Sequence, residues 1–173
     1  HISLPEHTVE IVSDAGEGAQ KAAIAFAQLC AKAGNGLWTV EIIPSEIRPP
    51  PHTTGSASGN RIRLAERAQV TNAGNRADVV LAFNEMALLS RLQADSLADD
   101  VLVLIDDHWA SHENEQYRIS YRDVIDQVRA RGSTGAARRR TRPTRFRSPS
   151  ARSGVDRRPP RRLRAPARRR LHG

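Results

Sequence analysis

The chain has 173 residues, with 27 Lys+Arg against 19 Asp+Glu, a net charge of +8 and a pI near 11.0. That length supports one domain with a real core, and the single cysteine, Cys30, excludes an internal disulfide framework and a multi-cysteine zinc or iron–sulfur site. The charge is unevenly divided: residues 1–130 hold 11 basic and 18 acidic residues, whereas 131–173 hold 16 Arg, no Lys and one acid, Asp156. The basic character that would suggest a nucleic-acid binder therefore lies wholly in the tail. No apolar run reaches the roughly 18–20 residues of a membrane span and the start carries no signal-peptide pattern, so the body reads as cytoplasmic and without membrane contact. The sequence begins at His1 rather than Met, as a fragment would.

Val9, Ile11 and Val12 form a short β-branched apolar run, which predicts a strand buried in a parallel sheet. It stops at Ser13-Asp14, and Gly16 and Gly18 allow the turn that follows. From Lys21 the period changes: Ala22, Ala23, Phe26, Ala27, Leu29, Cys30 and Ala33 recur at helical spacing, with Gly34-Asn35-Gly36 as a left-handed stop. Cys30 falls on the apolar side of that helix, as a buried and inert thiol would. Leu37 to Ile43 is a second strand, and strand, helix and strand together predict a right-handed βαβ unit.

Residues 44–60 read as irregular, stiffened by Pro49-Pro50-Pro51 and small and flexible from Thr53 to Asn60. Arg61 to Leu64 alternates and Gln69 to Thr71 follows a turn, which predicts a short hairpin at the sheet edge. Asp78 to Phe83 is an interior strand with Asn84-Glu85 at its carboxyl end, and Met86, Leu88, Leu89 and Leu92 mark a helix. Val101 to Ile105 is another buried strand, ending in Asp106-Asp107. Tyr121, Val124, Ile125 and Val128 give a last amphipathic helix, ending near Arg131-Gly132. The fold class is α/β, Rossmann-like, with a mostly parallel sheet and flanking helices. The carboxyl ends of its strands gather the glycine turn, Asn84 and the aspartates.

The alternation then calls for another strand, but 131–173 brings Arg, Pro, Ala and Ser with only Phe146, Val155, Leu163 and Leu171 as large apolar residues. The expected organisation is an α/β domain over 1–130, incomplete at its carboxyl end, and a disordered Arg/Pro-rich tail. Two readings compete for the tail: phosphate contacts to nucleic acid, or out-of-frame translation of a GC-rich coding region.

The chemistry-bearing motifs are sparse. The glycine turn departs from G-x-G-x-x-G because position 21 is Lys21, and no P-loop is present. Anion binding at the helix start is opposed by Glu17. His108 and His112, four apart among Asp106, Asp107, Glu113 and Glu115, follow a strand directly and read as a solvated acidic loop rather than a metal site. No constellation for nucleophilic or paired-carboxylate catalysis stands out.

Four stretches in order, Val9 to Gln20, Trp38 to Arg48, Ser58 to Arg63 and Asp78 to Glu85, resemble the gamma domain of 2-oxoacid:ferredoxin (acceptor) oxidoreductases, in the alpha-subunit type where that domain comes first. The resemblance implies a Rossmann-like accessory domain in a complex that decarboxylates a 2-oxoacid on thiamine diphosphate and Mg. Electrons then pass through iron–sulfur clusters to ferredoxin, and the acyl group passes to coenzyme A. Those cofactors would lie in other domains or subunits, with a thiamine-binding beta subunit as direct partner and ferredoxin as an indirect one. The resemblance assigns Gly16, Gly18 and Gln20 to the turn, as a place near a cofactor such as coenzyme A. It assigns Glu46, Arg48 and Asn84 to loop or interface positions, none of them catalytic. Two alternatives remain: a nucleic-acid binder acting through the tail, and a nucleotide-binding oxidoreductase using the glycine turn.

Overall fold

In the computed structural model, residues 5–134 are described. Five strands, β1 (Glu6–Asp14), β2 (Gly36–Ile42), β3 (Ala57–Ala65), β4 (Ala77–Ala82) and β5 (Leu97–Ile105), form one sheet in the order β2-β3-β1-β4-β5. Three helices flank it: α1 (Ala19–Lys32), α2 (Glu85–Gln93) and α3 (Glu115–Thr134). The α/β class with flanking helices is as expected, but the sheet is mixed rather than mostly parallel. β1 pairs parallel with β4, and β4 with β5, whereas β3 runs antiparallel to both of its neighbours, β1 and β2.

β3 is the principal correction. The expected edge hairpin over 61–71 is absent; Arg61 to Leu64 belong to an interior strand that begins at Ala57. β1 and β2 are indeed parallel to each other, but β3 lies between them, so the βαβ unit is split. The small residues from Ser56 to Asn60, read as flexible, are small because they are crowded. A Cβ on Gly59 would stand 1.9 Å from the Ile11 carbonyl oxygen. Smallness in a sequence signals close packing as readily as mobility.

The helices follow their periodicity. Ala19, Ala23 and Ala27 of α1 bury against Ile11 and Ile62 on one face of the sheet. Leu88 of α2 and Val124 of α3 join Val12, Val80, Leu97, Val103 and Ile105 on the other. α1 closes as expected on Gly34 (φ +88°), with N–H bonds from Gly34 to Ala31 and from Asn35 to Cys30 that satisfy its last carbonyls. Ala22, Leu29 and Ala33, counted on its apolar face, are exposed, and Cys30 is half-buried, its thiol pKa pushed up by burial. α3 runs through Gly132 to Thr134, past its expected end, so 131–134 continue the domain. From 135 onward the expected disordered tail lies outside the described residues.

Candidate functional site

The chain leaves β1 for α1 on one face and leaves β4 for α2 on the other. The crevice between their carboxyl ends is thus the switch point where open α/β sheets receive ligands. Here the protein fills it with its own histidine. His52, in the loop between β2 and β3, places Nε2 2.6 Å from Glu85 Oε1, while its backbone N–H donates to Asp14 Oδ2. Glu85 is fully buried and the His52 side chain is 11% exposed. His52 holds the left-handed backbone conformation (φ +57°), unusual for a non-glycine residue and sustained here by bonds from both its backbone and its ring.

An aromatic wall encloses that ring. Trp109 lies 4.6 Å and Tyr117 4.3 Å away between ring centroids, and His112 stacks on Trp109 at 5.4 Å. Trp109 is anchored by its indole N–H, which donates to the Phe83 carbonyl at 2.9 Å. The segment expected to be a solvated acidic loop therefore supplies an aromatic cover, over a 3-10 turn at Asp107–Ser111. Among the described residues no three His, Cys, Asp or Glu side chains are placed to hold a metal ion.

Beneath the cover, four buried atoms have no hydrogen-bond partner among the described residues: Asp14 Oδ1, Ser56 Oγ, Asn84 Nδ2 and Glu85 Oε2. Asn84, expected at a loop or interface, is the buried N-cap of α2, its Oδ1 accepting from the Ala87 N–H at 2.8 Å. Gly16 (φ +94°) and Gly18 (φ +98°) form the expected turn, and Gly18 caps α1 with no side-chain bond. Gln20 sits half-buried in the first turn of α1. Glu17 folds back so that its Oε2 accepts from the Asp14 N–H at 3.0 Å. Burial pushes its pKa up; the Asp14 charge adds to this, while the Asp14 N–H and His52 oppose it. Carboxylates of Asp14, Glu17 and Glu85 thus crowd the place where a nucleotide phosphate would sit, an electrostatic environment that disfavours an anion. Glu46 and Arg48 are exposed on the His52 loop, with Glu46 turned toward Gly55.

A second charged cluster ties the sheet together. Glu10 of β1, fully buried, accepts from Arg61 Nε at 2.8 Å and from Arg91 Nε at 2.9 Å and Nη2 at 3.0 Å. Arg61 also donates to the carbonyls of Gly74 and Asn75. Neither this clamp nor His52 was legible beforehand. The available signal was a lone acid, Glu10, inside an apolar strand run, which demands a buried cationic partner.

No family model matches this chain. The 2-oxoglutarate oxidoreductase subunit KorA of Mycobacterium tuberculosis is 32% identical over 104 residues, covering 60% of this chain and 16% of that protein, so the chain spans a small part of its relative. The 2-oxoglutarate:ferredoxin oxidoreductase of Magnetococcus marinus, solved with 2-oxoglutarate, coenzyme A and succinyl-CoA bound, shares the fold. Its TM-score is 0.51 at 14% identity, over 84% of this chain and 34% of that one. A keto/oxoacid ferredoxin oxidoreductase gamma subunit from Geobacter sulfurreducens gives a TM-score of 0.48 at 14% identity, over 65% and 57%. The nucleic-acid reading of the tail finds no support among these likenesses.

Proposed function

We propose that this gamma-type domain of the 2-oxoacid:ferredoxin oxidoreductases serves its complex as an accessory module, without turnover of its own. The observation that best supports this is the switch-point crevice, which is filled by His52 and ringed by carboxylates instead of being open to a nucleotide. An α/β domain with a self-occupied crest is suited to presenting surfaces rather than to binding a dinucleotide. The oxidative decarboxylation of a 2-oxoacid to its acyl-CoA would proceed on thiamine diphosphate, Mg and iron–sulfur clusters held elsewhere. This domain would assemble with the thiamine-binding subunit in the cytoplasm, and ferredoxin would be reached only through that assembly. Gly16, Gly18 and Gln20 shape the crest turn in this reading, and Glu46 and Arg48 offer exposed charges to a neighbouring subunit.

Co-expression with the thiamine-binding subunit from the same genome, followed by affinity capture through this chain, tests the reading. The expected result is a stable stoichiometric complex, with no 2-oxoacid-dependent ferredoxin reduction by this chain alone. Turnover by the isolated chain, or failure to associate while it remains folded, would overturn it.

A further inference from the structure

The two edges of the sheet are unlike. β5, at one end, carries the adjacent charges Asp99 and Asp100 and a register shift against β4, and Asp99 is tied to Arg76 and Arg131. Charges and bulges of this kind keep a strand edge from recruiting another strand. β2, at the other end, runs seven residues in unbroken register with β3, without Pro, Lys or Arg, and Glu41 is its one charge. Its outer edge is undefended.

The side chains of β2 are open as well. Leu37 and Thr39 point toward α1, whereas Ile42 packs with the cluster beneath α2 and α3, so Trp38 and Val40 share that opposite face. There Trp38 is 44% and Val40 43% exposed, and Ile43, just past the strand, is 71% exposed. An apolar strand lying open at an undefended edge is suited to pairing with a further strand.

We infer that a second copy of this chain joins along β2, antiparallel and edge to edge, about a two-fold axis at Val40. The side-chain pattern is self-complementary about that axis. Val40 meets Val40, Trp38 meets Ile42 and Leu37 meets Ile43, while the Thr39 hydroxyl donates to the Glu41 carboxylate. The last three contacts each occur twice, as an isologous interface requires. Neighbouring axes lose the match: at Thr39, Leu37 would face Glu41, and at Glu41 the two carboxylates would face each other. An axis between residues would oppose side chains of different faces. Self-complementarity in this one register, on the undefended edge, selects a second copy over an unrelated strand. The two five-stranded sheets then join into one, with both α1 helices on the same face. This edge lies away from the crest, so the inference does not rest on the accessory role, and each can fail without the other.

Sedimentation equilibrium of the full chain, over about a hundredfold range of concentration, should show the mass rising to twice the 19.1 kDa of one chain. With Cys30→Ser removing the only native thiol, Val40→Cys should oxidise to a symmetric disulfide, because opposed residues lie about 4.5–5.5 Å apart between Cα atoms. Thr39→Cys should not, since its counterpart sits diagonally at about 7–8 Å. Two lysines at adjacent exposed positions should act in opposite directions. Val40→Lys sets like charges on the axis and should weaken association about tenfold or more, whereas Thr39→Lys faces Glu41 and should tighten it about twofold to tenfold. Four results would each overturn the inference: a single-chain mass throughout, equal cross-linking at both cysteines, lysine effects of one sign, or Val40→Cys linking instead to a co-expressed thiamine-binding subunit. The mass of the unsubstituted chain is decisive even if a variant fails to fold.

Discussion

Two fully buried glutamates, Glu10 and Glu85, occupy opposite circumstances in one small domain. Glu10 lies within β1 and is answered on both oxygens by Arg61 and Arg91, which also ties β3 and α2 to that strand. Glu85 lies at the crest, bonded through one oxygen to His52, with the other oxygen unmet and three more unpaired buried atoms on Asp14, Ser56 and Asn84. A saturated charge cluster is a tether. An unsaturated one, held by a strained loop residue under an aromatic cover, leaves buried polar atoms unmet at the crest.

The same substitution at both positions tests this contrast most severely. Glu10→Gln leaves two buried guanidinium groups without a counter-charge and should cost about 3–5 kcal/mol in urea unfolding. Glu85→Gln puts one charge-assisted hydrogen bond at stake and should cost about 1.5–3 kcal/mol, while speeding proteolysis within the 44–56 loop. Equal costs would break the distinction between the saturated and the unsaturated cluster. Smaller still, Asn84→Ala removes the N-cap of α2 and should cost about 1 kcal/mol, with Asn84→Ser recovering most of it.

The smallest effects are in pH dependence, and their signs are opposite. Arg131 and Arg76 hold the Asp95 carboxyl below its usual value of 3.8, so its contribution is present above that value and lost as pH falls through the lower folded one. Asp95→Asn should flatten the acid limb slightly, and added salt should erase the difference, because the group is exposed. Glu17, raised by burial above its usual 4.5, contributes most below that value and loses its contribution as pH rises through the higher folded one. Glu17→Gln should therefore lift the melting temperature relative to the parent near neutrality and not at pH 4. Melting curves between pH 3 and 7 distinguish the two.

Local pattern carried much of this fold. The β-branched run at Val9 to Val12, the helical spacing of Ala23, Phe26 and Ala27, the stop at Gly34 and the face of Tyr121, Val124, Ile125 and Val128 each declare an element, because side-chain period and backbone permissiveness act over a few residues. The gathering of the glycine turn, Asn84 and Asp106 at one end of the sheet followed from that alternation. Order and partnership did not. That β3 would run antiparallel in the interior depended on the close approach of Gly59 to Ile11, which no periodicity records. His52 reaches 38 residues back to Asp14 and 33 forward to Glu85, and Glu10 finds Arg91 across 81 residues. By itself the sequence determined the elements and the end of the sheet at which they converge. Tertiary structure alone decided which buried charges are answered and which are left open, because pairing register and hydrogen bonding between distant segments exist only once the chain has closed on itself.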